Sequence, residues 1–411
     1  MNPYLAVIIT IIVSEYLLSQ VILFLELRSL GGQLPLELND VYDQDKYRES
    51  QRYTRKNGHF AAIQETFMVV VTLLFILLGG FNRVDLLARS YHLGPIVTGV
   101  LFSGILAFLA TLINLPFSLY STFVIEEQFG LNKTTLQVFI QDFVKAVLLS
   151  ICLGGPLLVM VFWFFEATGE RAWLYCWLAV TACIFILQFL APVVIMPLFN
   201  RFIPLEEGEL KKQITKYAKS QKFSMQGIYT MDGSKRSTRL NAFFTGFGRF
   251  RRIVFFDTLI EKLTASEVVA VLAHEMGHFK RKHISKMMIA SMLQMGVMFL
   301  ILSLFLENPQ LSAAFGMEHI SLYASLFFFS FLFSPVSTLL AIVFNYYSRK
   351  HEYEADAWAA ETTGSPHDLI QGLKKLSSNN LANVTPHPLN VTVNYSHPPL
   401  LQRIRALTCP A

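Results

Sequence analysis

Charge is scarce in this chain. Only 15% of its 411 residues are Asp, Glu, Lys or Arg, where an ordinary soluble domain carries about 25%. Cysteine is scarcer still, at four residues, and no two stand as C-x-x-C. That excludes a disulfide scaffold and gives no support to a Cys-ligated metal or a redox dithiol. Basic residues interleaved with aromatics are also missing, so nothing points to nucleic acid. Internal repeats and low-complexity tracts are absent as well. What is abundant is apolar: 53% hydrophobic residues, 36 of them Phe, and a mean hydropathy of +0.44. So little polar surface cannot cover a water-exposed protein of this size, and the sequence reads as a polytopic membrane protein.

About 20 apolar residues cross a bilayer as a helix. Seven segments qualify: 4–26, 59–81, 95–118, 138–165, 172–199, 284–306 and 319–347. The first lacks a small-residue cleavage site after it and reads as a retained span. Lys and Arg accumulate on the cytoplasmic side of a membrane protein. With seven spans, one side of this chain holds three of the 34 basic residues and the other holds 29, two more falling inside spans. This predicts an N-terminus outside and a C-terminus in the cytoplasm. The expected organisation is spans one to five over 1–200, the first part of a cytoplasmic domain over 201–283, spans six and seven over 284–348, and the second part of that domain over 349–411. Neither polar segment is long enough to be a comfortable domain alone, so the two are expected to pack together. Glu15, Glu65, Asp142 and Lys145 lie inside spans, where ionisable groups usually face an interior or a watery cavity. Asp142 and Lys145 are three apart and are also placed to neutralise each other.

The chemistry concentrates in one segment. Thr264-Ala265-Ser266-Glu267 has the form of a helix-starting capping box. The apolar run behind it leads into His274-Glu275-Met276-Gly277-His278. Residues four apart share a helix face, so His274 and His278 point the same way, a spacing that suits one zinc ion, with Glu275 placed to activate a water. A catalytic zinc needs three protein ligands and an open position. Glu352, on a helical-looking segment after the last span, would complete the set. Asp356, one turn on, is placed to accept the spare N–H of a zinc histidine, whereas Glu354 points elsewhere. Lys262 and Lys280-Arg281-Lys282 bracket the H-E-x-x-H helix and leave too few residues to span, which puts the site at the membrane boundary.

These residues, together with Tyr120 to Thr134, Pro197-Leu198-Phe199-Asn200, Gly208-Glu209-Leu210, Asn241 to Gly246, Ser396-His397-Pro398-Pro399 and Arg403, make the chain resemble the type I CaaX prenyl endopeptidases over nearly its whole length. The resemblance implies an all-α integral membrane protein. Its seven transmembrane helices would enclose a chamber, capped at the cytoplasmic face by a mainly helical zinc metalloprotease domain with a small β element. It also implies one Zn2+ per chain and removal of the last three residues of a prenylated Cys-a-a-X tail. By the same resemblance, Asn241 holds the substrate backbone, His397 stabilises the oxyanion, and Arg403 stands behind the metal ligands with Asp356. His387-Pro388 is a decoy for His397 that lacks the second Pro and the following Arg.

The expected partners are a peptide or prenylated protein C-terminus and the lipid bilayer, with the protein monomeric. A short connection between spans six and seven, a short tail and the lack of a terminal retention signal favour a bacterial inner membrane, with the endoplasmic reticulum as the alternative. Two other functions fit part of the pattern: a general membrane-protein quality-control protease with the same chemistry, and a transporter or channel with a structural zinc. The open fourth position argues against the last.

Overall fold

The computed structural model describes residues 2–245, 251–306 and 308–409. The membrane part begins with α1 (Pro3–Ser29), α2 (Gln44–Leu77), a short amphipathic α3 (Gly80–Arg89) and α4 (Pro95–Tyr120). It continues with α5 (Leu136–Leu149), α6 (Gly155–Ala167), α7 (Ala172–Leu190) and the single turn α8 (Met196–Phe199). Wide π turns at Ser121–Glu126, Ser150–Gly154 and Ala191–Ile195 extend α4 and join α5 to α6 and α7 to α8. The other two spans are α12 (His283–Ser303) and the 42-residue α14 (Leu322–Thr363), numbered in the chain order completed below. Among the described residues, seven helices are thus long and apolar enough to cross a membrane. Their most apolar stretches are only 6% to 22% buried within the protein. Surfaces this apolar and this exposed are stable only against lipid, so the chain is a multi-pass membrane protein.

The polar segments fold around a four-stranded sheet: β1 (Phe202–Pro204), β2 (Gly227–Met231), β3 (Ala242–Thr245) and β4 (Arg252–Phe256), in the order β1-β2-β4-β3. β2 and β4 run parallel and the outer pairs antiparallel, which leaves β3 at an edge. Around the sheet stand α9 (Glu209–Ser220), α10 (Asp257–Lys262) and α11 (Ala265–Lys280). α13 (Pro309–Ala314) lies between the last two spans, and α15 (Pro366–Asn379), α16 (Pro388–Asn394) and α17 (Leu400–Thr408) follow α14. One apolar core joins Ile214, Ile253 and Phe255 of the first polar segment to Ala359, Leu369, Val384 and Ile404 of the second. Leu38 and Tyr42, from the connection between α1 and α2, and Tyr47, from the first turn of α2, are buried in the same core.

Two in-span charges are arranged differently from the pairing suggested by their spacing. Asp142 does not face Lys145. Its two oxygens take the planar fork of Arg236, with Nε at 2.7 Å and Nη2 at 2.9 Å. Lys145 instead donates to the carbonyl of Leu198 at 2.8 Å. A bidentate guanidinium matches a carboxylate better than a single ammonium does, and it ties the loop after β2 to the membrane helices. Glu15 accepts from Ser334 on α14 at 3.0 Å, and Glu65 accepts from Ser19 and Gln20 on α1 at 2.9 and 2.8 Å.

Candidate metal centre

The helix that carries the motif starts where the sequence signals it. Thr264 caps α11, its hydroxyl accepting from the N–H of Glu267 while the Glu267 carboxylate accepts from the N–H of Thr264. Val268, Ala270, Leu272, Ala273 and Met276 are buried in the sheet-side core. That packing sets the rotation of α11 and turns His274 and His278 towards α14. Gly277 lies at the crossing, where the missing side chain lets the backbone of Ala355 approach.

Across this contact, Nε2 of His274 and Nε2 of His278 lie 3.1 Å apart. Oε1 of Glu352 is 3.2 Å from His278 Nε2, and its Oε2 is 3.4 Å from His274 Nε2. Zinc bonds of about 2.0–2.1 Å in a tetrahedron place neighbouring ligand atoms roughly 3.3 Å apart. The His274–His278 edge is close to that length, and each of the two nitrogens faces a different oxygen of Glu352 at a similar distance. Oε2 of Glu352 is buried and makes no hydrogen bond among the described residues, with Nη1 of Arg403 3.4 Å away, so it retains an open lone pair towards the histidines. Two imidazoles and one carboxylate are moreover a donor set that suits zinc. The residues fit the ion.

Behind the triangle, Oδ1 of Asp356 is 2.8 Å from Nδ1 of His274. Arg403 on α17 donates to both Asp356 oxygens, Nε at 2.8 Å and Nη2 at 2.6 Å. Arg403 and Asp356 are 8% and 2% exposed, so neither charge has water to turn to. Burial works against protonating His274, but its contacts with Asp356 and Glu352 outweigh burial and lift its pKa to about 9. Glu275 is half-buried beside the triangle, and burial raises its carboxyl pKa, opposed by the charges of His274 and His278.

His397 is exposed just before α17, its Nε2 3.4 Å from Oε1 of Glu352 and its Nδ1 3.0 Å from the Ser396 hydroxyl. His387, the decoy, is structural: its Nδ1 accepts from the N–H of Leu389 at the start of α16, and its own N–H donates to Glu26. Asn241 is exposed immediately before β3 and its carbonyl accepts from Phe256. Among the described residues its side chain bonds only the following N–H, that of Ala242. Gly246, at the end of the Asn241 block, lies outside the described residues. One neighbour escaped the sequence reading. His283, the first residue of α12, places Nδ1 3.2 Å from Nδ1 of His278 and Nε2 3.0 Å from Oε2 of Glu354. Its only sequence signal was a third histidine five residues after the motif.

Comparison with known proteins agrees with this architecture. Residues 24–201 match the family described as CAAX prenyl protease N-terminal, five membrane helices, and residues 204–411 match peptidase family M48. The chain is 34% identical to CAAX prenyl protease 1 of Saccharomyces cerevisiae, the match covering 91% of this chain and 88% of that protein. It is 33% identical to the CAAX prenyl protease 1 homolog of Arabidopsis thaliana, over 98% and 97% of the two. Among solved structures, the crystal structure of S. mikatae Ste24p superposes with a TM-score of 0.95 at 30% identity, covering 100% of both chains. Matched over both its membrane and its soluble parts, the chain belongs to peptidase family M48, as a multi-pass membrane metalloprotease of the CAAX prenyl protease type.

Proposed function

We propose that this protein is a zinc endopeptidase that removes the C-terminal tripeptide from prenylated Cys-a-a-X substrates, with one ion per chain held by His274, His278 and Glu352. The observation that carries the reading is the pair of imidazole nitrogens 3.1 Å apart, each facing a Glu352 oxygen at 3.2 or 3.4 Å, beside Glu275 and at the junction of α11 with two membrane spans. Bound there, zinc would supply Lewis acidity towards a peptide carbonyl and a lowered water pKa near 7.

The chain's own groups divide the remaining work. The Glu275 carboxylate accepts a proton from the attacking water and returns it to the leaving amine nitrogen. Its burial and raised pKa suit a base that must hold that proton between two steps. Asp356, pinned by Arg403, takes the Nδ1–H of His274 and fixes its tautomer. His397 stands on the exposed side of Glu352 and donates from Nε2 to the developing oxyanion. An extended substrate adds as a strand to the outer edge of β3, which pairs with no other strand among the described residues, with the Asn241 side chain holding its backbone. A cavity of about 760 Å³ adjoins His278, lined largely by apolar residues such as Leu187, Ile195 and Met288. It is room for a prenyl chain.

We further propose that 201–283 and 349–411 form one catalytic unit over their shared core, while 1–200 and 284–348 supply the spans. The N-terminus faces outward, the unit faces the cytoplasm, and the protein works as a monomer in the bilayer. The short connection between spans six and seven favours a bacterial inner membrane over the endoplasmic reticulum. The test is hydrolysis of a farnesylated Cys-a-a-X peptide and its unprenylated twin by the zinc-loaded protein in detergent, with Glu275→Gln as control. The expected result is cleavage of the farnesylated peptide alone, lost in Glu275→Gln while bound zinc is retained. Equal Glu275-dependent cleavage of both peptides would replace this reading with general membrane-protein quality control. A Glu275→Gln protein with near-normal turnover would remove that residue from the mechanism.

A further inference from the structure

The two metal-ligating histidines are supported in different ways. His274 leans directly on a carboxylate, Asp356. His278 leans on another imidazole: its Nδ1 is 3.2 Å from Nδ1 of His283, which is 2% exposed. Two facing ring nitrogens share one proton. If His278 gives Nε2 to the metal, its Nδ1 carries that proton, and Nδ1 of His283 must be the bare acceptor. The remaining proton of neutral His283 then sits on Nε2, where Oε2 of Glu354 receives it at 3.0 Å. Each proton in the row has one place, and the row ends on a negative charge.

The backbone builds this arrangement from two helices. Glu352 and Glu354 are two residues apart on α14, so they leave the helix on different sides. Glu352 reaches the metal triangle, and Glu354 passes behind it to meet α12. His283 is brought there by the turn at Lys282, whose left-handed φ of 59° folds the chain between α11 and α12. The His283 ring is also stacked on His351, with centroids 4.0 Å apart and planes 9° from parallel, which fixes its tilt.

We propose that His283 and Glu354 are positioning residues for the metal: His283 accepts the Nδ1–H of His278, and Glu354 holds His283 in the tautomer that makes this possible. The inference rests on the reading of His274, His278 and Glu352 as metal ligands. Partners of this kind set the orientation and basicity of a ligating imidazole, and losing one typically costs 10- to 100-fold in metal affinity.

The experiment is zinc titration of the full-length protein in detergent against a competing chromophoric chelator. It compares the parent protein, His283→Leu, His283→Asn, Glu354→Gln and, as the control that removes a ligand, His278→Ala. His283→Leu deletes the acceptor and should weaken zinc binding by about 10- to 100-fold. His283→Asn offers a carbonyl oxygen where Nδ1 stood and should recover most of that loss. Glu354→Gln keeps an acceptor for the Nε2–H but removes its charge, and should fall between the two. Cobalt-substituted samples report the same series through their visible ligand-field spectrum, with His283→Leu altered and His283→Asn close to the parent. Parent-like affinity in His283→Leu would overturn the proposal, and so would equal loss in His283→Leu and His283→Asn, since the ring's packing rather than its lone pair would then matter. If His283→Leu fails to fold, His283→Asn and Glu354→Gln still decide: a 10-fold or greater loss in His283→Asn, or parent-like affinity in Glu354→Gln, overturns it. A parent protein that binds no more zinc than His278→Ala would instead refute the metal-ligand reading.

Discussion

Replacing Gly277 by alanine tests whether the close crossing of α11 and α14 sets the ligand spacing. A Cβ at this position would lie 3.0 Å from Cα of Ala355, 3.1 Å from its carbonyl oxygen and 3.2 Å from Cβ of Trp358. Carbon atoms prefer about 3.5–4.0 Å. None of these three atoms is the far end of a flexible side chain, so no change of rotamer relieves the contact, and the helices must part by a few tenths of an ångström. On an open helix face the same change would stabilise by about 1 kcal/mol through helix propensity. Here the overpacking costs about 1–3 kcal/mol, and the contact therefore reverses or cancels the usual gain. Glu352 is one turn before Ala355 on α14 and moves with it, while His274 and His278 stay on α11. Strain of about 1–2 kcal/mol placed on the state that closes the triangle corresponds to about 5- to 30-fold weaker metal binding. Chelator competition on purified Gly277→Ala, with thermal unfolding in chelator and in excess zinc, measures both parts. A variant that binds zinc within about twofold of the parent and melts at a higher temperature would refute the argument, because the glycine would then be no more than a weak point in a helix.

Arg403→Leu removes the guanidinium that holds both oxygens of the buried Asp356 and should destabilise the protein by about 3–5 kcal/mol; a thermal melt checks this, and Arg403→Leu combined with Asp356→Leu should recover part of the loss. The pKa of His274, held near 9 by Asp356 and Glu352, means that metal must displace a proton at neutral pH. Its folded value is raised above the unfolded value of about 6.5, so the linked stability of the metal-free protein is fully present below that pH and is lost as pH rises through about 9. Zinc affinity should correspondingly climb by up to tenfold per pH unit and level off above about 9, as chelator competition at pH 6.5, 7.5, 8.5 and 9.5 would report; a flat profile would contradict the assignment. Lys282, with φ of 59°, should tolerate glycine within about 1 kcal/mol, whereas Lys282→Val should cost about 1–3 kcal/mol and weaken zinc binding by displacing His283.

What the sequence made legible follows from the range of each signal. The spans declare themselves through runs of about 20 apolar residues. The motif helix declares itself through its capping box and the i, i+4 spacing of His274 and His278, and Glu352 with Asp356 repeats that spacing on a second helix. All of these signals lie within a few turns of one helix. The partners that escaped depend on chain reversals that no local pattern encodes. Arg236 reaches Asp142 across 94 residues, so the near neighbour Lys145 looked like the obvious partner. His283 reaches His278 only because one left-handed residue, Lys282, turns the chain between α11 and α12. Leu38, Tyr42 and Tyr47 read as part of an inter-span loop, yet they complete the core beneath the metal helix.

Where the proposed metal centre sits relative to the bilayer follows from the length of α14. Leu322 and Glu352 lie on one continuous helix. At about 1.5 Å per residue they are roughly 45 Å apart, against a hydrocarbon thickness of about 30 Å. A helix entering the hydrocarbon near Leu322 therefore leaves it well before Glu352, and the last turns carry the ligand out of the lipid. On the other side of the site, α11 is followed after only two residues by α12, itself a span, so His274 and His278 are held at the same level by a second membrane helix. Glu352 lies on a membrane span and the two histidines on a helix tethered to another, and the two helices meet where Gly277 faces Ala355. The geometry of the proposed metal site is in this sense set by the crossing of α11 with the end of a membrane span, at Gly277 and Ala355.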